Sequence, residues 1–281
     1  MERPTFDWSQ TVPAGLTALG AQCALTALFA YGPKGPWKEE PGYSAQRAVL
    51  IPTMAFLFCV GVQGWWFPGD ETVARMATAQ GRVFEPNAFG IGLCHHLLGV
   101  LLIWEMPTAL FIKSLRDPLM FVHHIGMAAI AYGCAKHAIF GYHSLFFGGI
   151  VEVTSVPLAI TKLFHPDHRA WAACEARSSS LQKINLASRI SFALSFFVVR
   201  CLAFPYVLFH VGHDLRSLWS LPLEERHGFT YVHFSCFYIA GILFYLLQLH
   251  WGRIVLHQAI KQVRRILQPN STPAAASRKN Q

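Results

Sequence analysis

Residues 117–158 read DPLMFVHHIGMAAIAYGCAKHAIFGYHSLFFGGIVEVTSVPL. This stretch consists of two apolar runs joined by a short turn at Gly141. Each run approaches the roughly 20 residues that a helix needs to cross a bilayer. The stretch therefore predicts two antiparallel membrane helices, and it places His123, His124 and Glu152 inside them.

The composition extends this interpretation to the whole chain. Of its 281 residues, 53% are hydrophobic and only 14% are charged, and the mean hydropathy is +0.34. Ordinary soluble domains carry about 25% charged residues. We therefore predict an all-α fold, a polytopic membrane bundle of about seven transmembrane helices around an internal cavity.

The apolar runs give seven predicted spans, at 11–31, 48–67, 89–112, 118–139, 142–161, 188–210 and 229–251. They divide the chain into an N-terminal segment with the first span (1–44), a six-helix membrane domain (45–255) and a basic, partly disordered C-terminal tail (256–281). Four prolines lie well inside spans, at Pro52, Pro107, Pro157 and Pro205. Because proline removes a helix hydrogen bond, we expect kinks that border the cavity.

The charge pattern bears on topology and on partners. Most of the 23 lysines and arginines fall on the same side of the membrane as the C-terminal tail when the chain crosses seven times. The positive-inside rule then predicts a lumenal N-terminus and a cytosolic C-terminus. The net charge of +8 lies in short loops and in the tail, which favours contact with anionic lipid over nucleic acid. The seven cysteines form no CxxC motif and are interpreted as small buried residues.

Polar groups within the spans are the candidates for function, because a charged side chain at mid-bilayer costs about 2.5–3.5 kcal/mol. The close turn packs the fourth and fifth spans side by side, so a contact between His124 and Glu152 needs only a modest stagger. Such a pair would stabilise an imidazolium or fix the tautomer for proton transfer. We predict His123, His124, Glu152 and Asp117 as catalytic candidates. Asp117 precedes Pro118, so it is equally a candidate helix N-cap.

Five further polar residues are predicted to face the bundle interior and to bind substrate: Ser155, His95, His96, Glu105 and Arg200. Ser155 shares a helix face with Glu152 because it follows three positions later. The alternative for the lone histidines, including His95 and His143, is a structural hydrogen bond within the bundle.

Metal chemistry receives little support from the spacing. The histidine pairs are not part of HxxxH or HxxHH motifs, which disfavours a di-iron enzyme, and HExxH is absent. A haem held by one histidine from the third span and one from the fourth stays open. We predict no metal and no resident cofactor.

The run DPLMFVHHIGM, followed about thirty residues later by GGIVEVTSVPL, resembles a TLC domain, with partial matches at LLIWEMP and SFFVVR. That family contains ceramide synthases and the translocating-chain-associating membrane protein. The resemblance implies about six helices around a lipid-accessible cavity, often with an extra helix before them. In the ceramide synthase branch the paired histidines are essential for acyl transfer from acyl-CoA, and the matching residues here are His123 and His124.

The sequence departs from ceramide synthases where they carry an HD-x-SD segment, because the matching stretch is GGIVEVTSVP. This favours the non-synthase branch and a function in membrane-lipid homeostasis. One reading is an acyltransferase acting on a membrane lipid, with acyl-CoA as co-substrate and a histidine as base or acyl carrier. The other is a non-catalytic lipid sensor, cargo escort or accessory subunit, as an oligomer or within a larger complex. The resemblance implies the endoplasmic reticulum.

Overall fold

The structure is a computed structural model that describes residues 6–226 and 228–267. Seven of its helices are long and apolar enough to cross a membrane. They are α1 (Trp8–Tyr31), α2 (Pro41–Trp66), α3 (Ala79–Phe111), α4 (Pro118–His137), α5 (Gly141–Leu163), α6 (Ser179–Trp219) and α7 (Tyr231–Leu267). The described residues contain no strand. The predicted all-α polytopic bundle with seven spans is confirmed.

The seven helices alternate in direction between two faces of the bundle. The amino-terminal face, where α1 begins, carries the connections at 67–78, 138–140 and 220–230, and the carboxyl-terminal face carries those at 32–40, 112–117 and 164–178. On the first face, the backbone N–H of Phe140 donates to the carbonyl of Val83 over 2.7 Å. On the second, the hydroxyl of Tyr43 donates to the carbonyl of Lys162 over 2.9 Å. These bonds join segments that are distant in the sequence at each face.

Several helices are longer than the apolar runs that predict them. α6 begins after the N-cap Ser178 and ends at Trp219, although its predicted span covers only 188–210. α7 continues to Leu267, past the predicted end at 251. Polar residues continue a helix wherever a partner or water satisfies them, so the apolar run marks only its membrane core. The predicted disorder after residue 268 lies outside the described residues.

Three of the four internal prolines follow an irregular turn. A π-helical turn at Val100–Glu105 precedes Pro107, one at Phe196–Ala203 precedes Pro205, and a π-helical turn followed by a 3-10 turn, Leu145–Gly149 and Ile150–Thr154, precedes Pro157. Proline removes an N–H and clashes with the preceding turn, which explains the distortion. At Pro52 the helix stays α-helical throughout Pro41–Trp66.

The distorted turns supply polar groups to the bundle interior. Glu105, Glu152 and Arg200 each lie in one of them. The carbonyl of Cys201, four residues before Pro205, accepts a hydrogen bond from the hydroxyl of Tyr245 at 3.5 Å. A neighbouring helix thus satisfies a backbone group that the proline leaves free, as a membrane helix requires.

Close backbone contact fixes α5 against α2 and α3. A Cβ atom on Gly90 of α3 would overlap the carbonyl oxygen of Gly141, and one on Gly61 of α2 would lie 2.7 Å from the backbone nitrogen of Ile150. Neither position tolerates a side chain without a shift of the backbone. α3 and α5 are also the most buried of the seven helices, so they form the centre of the bundle.

Candidate functional site

A cavity lies between α3, α4, α5, α6 and α7. Its volume is about 110 Å³, and the space free of protein atoms reaches about 930 Å³ when the open mouth is included. That volume far exceeds the roughly 10–15 Å³ that one water needs. Its middle is lined by apolar side chains, among them Leu97, Met127, Phe147, Phe204 and Phe244.

The helix repeat aligns the lining residues along the membrane normal. On α4 they run from His123 to Cys134, and on α7 they run from Gln248 back to Phe237. Both pairs are eleven positions apart, which corresponds to about 16 Å at 1.5 Å per residue. The cavity is therefore about as long as half of the roughly 30 Å hydrocarbon core.

The end of the cavity nearer the carboxyl-terminal face is polar. We call it the open end, because its opposite charges are not in direct contact. It consists of His123 from α4, Glu152 from α5, Arg200 from α6 and Gln248 from α7. Arg200 is 9% exposed. Its guanidinium donates to the hydroxyl of Thr154 over 2.7 Å, to the side-chain oxygen of Gln248 over 3.2 Å and to the carbonyl of Val151 over 3.4 Å.

All three hydrogen-bond acceptors of Arg200 are neutral. No carboxylate oxygen of the described residues lies within 4.0 Å of its guanidinium. Glu152 acts on Arg200 at longer range, and its own carboxylate accepts a hydrogen bond from Ser155 at 2.5 Å. The open end thus holds opposite charges that face one cavity without touching.

His123 lines the cavity beside these groups. Its ring meets the rings of Phe244 and Trp251 edge to face, at centroid distances of 5.1 and 5.3 Å. Its Nδ1 atom is buried and has no hydrogen-bond partner among the described residues. A buried ring nitrogen without a partner is costly, which makes His123 a candidate for contact with a ligand.

His124 faces a different carboxylate from the one expected. Its Nε2 lies 3.9 Å from Oε1 of Glu105 on α3, and neither residue lines the cavity. The expected contact between His124 and Glu152 is absent, because adjacent helical residues point about 100° apart. Only one histidine of the pair can face the cavity, and it is His123.

The end of the cavity nearer the amino-terminal face is also polar, and we call it the paired end. His143 lines this end, and the pair of Arg82 and Asp214 lies beside its ring, outside the cavity lining. Arg82 of α3 donates to both oxygens of Asp214, over 2.8 Å from Nε and 2.6 Å from Nη2. Nε2 of His143 lies 3.1 Å from Oδ2 of the same carboxylate. The side chains of His143 and Asp214 are 4% and 2% exposed. The bidentate pair neutralises the charge of Asp214 inside the bundle.

The family model for the TLC domain matches residues 53–257, more than half of the chain. The chain belongs to the TLC-domain family. No curated protein and no solved structure matches it at a significant level. Membership of the TLC family makes the chain an integral membrane protein that contacts membrane lipids, and it indicates a lipid-related function.

Within this TLC bundle, three more predicted site residues lie away from the cavity, in addition to His124, Glu105 and Ser155, which do not line it either. Asp117 is exposed and caps α4, accepting hydrogen bonds from the backbone of Leu119 and Met120 at 3.0 and 3.3 Å. This is the N-cap role that the sequence offered as the alternative. His95 is buried but outside the cavity, with its Nδ1 atom 2.7 Å from the hydroxyl of Thr11.

The third is His96, whose ring packs at 4.9 Å from Phe56 on α2. Neither α3 histidine lines the cavity, so the geometry does not support a haem shared between α3 and α4. The described residues contain no group of three His, Cys, Asp or Glu side chains that could hold a metal ion.

Sequence reasoning missed the paired end of the TLC domain. It ended the sixth span at residue 210 and so left Asp214 outside the membrane. It treated Arg82 as a loop residue and His143 as a lone structural histidine. The available signal was an acidic residue within a helical turn of an apolar run, which is the same signal that selected Glu152. Gln248 of the open end was missed as well.

Proposed function

We propose that this protein binds a lipid in its cavity and transfers an acyl group there. The acyl chain lies in the apolar middle, and its carbonyl group lies at the open end. The single observation that supports this assignment is Arg200, a buried cation that faces an apolar cavity with only neutral hydrogen-bond acceptors. A charged residue at membrane depth is expensive, and its usual reason is function.

Arg200 suits the carbonyl or carboxylate oxygen of an acyl group. An oxygen that accepts from the guanidinium forms a charge-assisted hydrogen bond, which is stronger than the bonds to Thr154 and Gln248. The apolar middle then accommodates the hydrocarbon chain, and no polar group is buried without a partner. A lipid satisfies both parts of the cavity, whereas a polar metabolite satisfies only the open end.

His123 is the residue proposed to act on the bound acyl group. Its neutral imidazole attacks the carbonyl carbon of an acyl-CoA thioester, the carbon–sulfur bond breaks, and the thiolate leaves. A lipid hydroxyl or amine then attacks the acyl-imidazole, loses its proton to the ring or to Glu152, and releases His123. Alternatively, His123 takes the proton of the acceptor directly as a general base. We assign His124 to its contact with Glu105 instead.

A non-catalytic lipid sensor or escort is the second candidate, and one observation favours it. The groups that contact His123 are aromatic rings, and no carboxylate of the described residues lies within 4.0 Å of its ring nitrogens. General bases are usually positioned by such a partner. In this case Arg200 and His123 would bind the lipid without reacting with it, and the protein would act alone, as an oligomer or as a subunit of a larger complex.

The location and orientation remain proposals. We propose the endoplasmic reticulum, with a lumenal amino-terminal face and a cytosolic carboxyl-terminal face, supported by the distribution of lysines and arginines. The open end then lies nearer the cytosol, where acyl-CoA is made available.

Comparative lipidomics tests the proposal, with cells that express the wild type, His123→Gln or His96→Gln. His96 is the matched control, because it is a partly buried histidine in a span but outside the cavity. We expect a lipid change with the wild type and His96→Gln that is lost with His123→Gln. Acyl-CoA turnover should likewise be found with purified wild type and His96→Gln and be lost with His123→Gln. Wild-type binding of lipid without turnover would leave the non-catalytic candidate, and identical lipid profiles together with no bound lipid would refute both.

A further inference from the structure

The paired end offers a ligand-binding atom that acyl transfer at the open end does not use. His143 lines the cavity and is 3% exposed. Its Nε2 faces the carboxylate of Asp214, which can only accept hydrogen bonds. In a neutral imidazole the ring hydrogen must therefore be on Nε2, and Nδ1 presents a lone pair.

The neighbours of His143 favour this neutral form. Arg82 already donates two hydrogen bonds to Asp214 and cancels its charge. A second positive charge on the buried ring of His143 would have no counter-ion of its own, which is costly in an apolar interior. The site therefore presents a hydrogen-bond acceptor without net charge.

No protein group of the described chain satisfies that acceptor. The Nδ1 atom of His143 is buried and has no hydrogen-bond partner. The adjacent hydroxyl of Ser144 is already engaged, since it donates to the carbonyls of Gly90 and Gly141 at 3.1 and 2.9 Å. The rings of Phe140 and Tyr142 lie nearby, with centroids 6.3 and 5.5 Å from that of His143, and neither residue donates a hydrogen bond to Nδ1.

The distance between the two ends indicates which molecule supplies the hydrogen-bond donor for Nδ1 of His143. The open and paired ends are about 16 Å apart along the helices, and the wall between them is apolar. A single extended hydrocarbon chain spans this distance. One molecule can therefore place a carbonyl group at Arg200 and a hydrogen-bond donor at His143.

We propose that the lipid bound by this protein carries a hydroxyl group near the end of its acyl chain, and that Nδ1 of His143 accepts a hydrogen bond from it. This proposal rests on the proposed lipid binding and names its substrate class, a terminally hydroxylated acyl lipid. A chain-end amine fits less well, because its positive charge would meet an aspartate that Arg82 has already neutralised. Asp214 and Arg82 are positioning residues, which hold the ring and its tautomer.

The test compares two probes of nearly equal shape, dodecanoate and ω-hydroxydodecanoate, on the purified full-length protein in nanodiscs. Binding is measured by native mass spectrometry and calorimetry. We expect the wild type to bind ω-hydroxydodecanoate about three- to tenfold more tightly, the effect of one buried hydrogen bond. His143→Phe should abolish or reverse this preference while it keeps the binding of dodecanoate.

The control variant is His213→Phe, which alters an exposed histidine on α6 one residue before Asp214 and should keep the preference. Equal affinity of the wild type for both probes would overturn the inference and leave the proposed lipid binding intact. Binding of neither probe would overturn the proposed function as well. If His143→Phe fails to fold, the ratio of the wild-type affinities for the two probes still tests the inference. The variant His143→Asn, which can place an amide oxygen near the Nδ1 position, should then retain part of the preference.

Discussion

The two polar ends of the cavity contain the same kinds of side chain but satisfy them differently. At the paired end, Asp214 accepts two hydrogen bonds from Arg82 and one from His143. At the open end, Arg200 and Glu152 are directed at different neutral partners, and the two charges do not touch. Direct pairing makes the first end a structural clamp that leaves Nδ1 of His143 without a partner, and the absence of direct pairing is the reason we propose the second end as the ligand site.

This difference also predicts which end tolerates amino-acid substitution without a large loss of stability. Removing one member of a buried ion pair leaves the charge of the other without compensation, which lowers the free energy of unfolding. Removing Arg200 leaves only neutral hydrogen-bond acceptors without a donor and no buried charge without its counter-ion in direct contact, so we expect a smaller loss.

Asp214→Ala should have the largest effect. It leaves the guanidinium of Arg82 and the ring of His143 without their partner, and we expect a loss of about 3–5 kcal/mol. The free energy of unfolding in mixed micelles, from titration with a denaturing detergent, measures it. The matched control is Asp167→Ala, an exposed aspartate that also contacts a histidine, with an expected change within about 0.5 kcal/mol. Equal losses in the two variants would contradict the clamp.

Gly90→Ala should destabilise the bundle by about 1–3 kcal/mol, because its Cβ atom would force apart the backbones of α3 and α5 beside the paired end. Gly92→Ala on the same helix is the control, since nothing lies within 4 Å of the added atom. It should be neutral or stabilising, as alanine is the better helix former. The same titration checks both, and a similar loss for both would show that the close contact is unimportant.

Asp117→Ala should cost about 1 kcal/mol through loss of the α4 N-cap. Asp117→Asn, which still accepts the backbone hydrogen bonds, should cost much less. Neither variant should change the affinity for dodecanoate, because Asp117 lies outside the cavity. A normal unfolding energy combined with lost lipid binding would instead return Asp117 to the functional site.

Arg200→Met should change the free energy of unfolding by no more than about 1 kcal/mol, because the desolvation cost of the buried charge disappears together with its three hydrogen bonds to neutral groups. Arg82→Met, its counterpart at the paired end, should cost several times more. Arg200→Met should nevertheless abolish lipid binding. If Arg200→Met were as destabilising as Arg82→Met, the two ends would be equivalent and the contrast between them would fail.

The sequence predicts the fold well and the site only in part. Seven apolar runs are enough to identify seven spans, because crossing a membrane depends mainly on length and composition. The interior position of Arg200 followed from the same cost argument. The contact between Ser155 and Glu152 followed from their spacing on one helix, and the structure contains it.

The remaining features depend on helix rotation and on long-range pairing. Nothing in the letters HH indicates which histidine faces the cavity, since that is set by the rotation of α4 against its neighbours. Glu105 replaces Glu152 as the carboxylate near His124 for the same reason. The bond between Arg82 and Asp214 joins residues 132 positions apart, and no local pattern records it.

The most direct test of the central claim is photo-crosslinking with a diazirine-bearing fatty acid, followed by peptide mapping of the purified protein. Neighbouring residues provide internal controls: Met127 and Phe244 line the cavity, whereas Ile125 and Leu243 are exposed on the outer surface of the same helices. Labelling concentrated on Met127 and Phe244, and lost in Arg200→Met, is the result we predict. Labelling of Ile125 and Leu243 alone would contradict the presence of a lipid site inside the bundle.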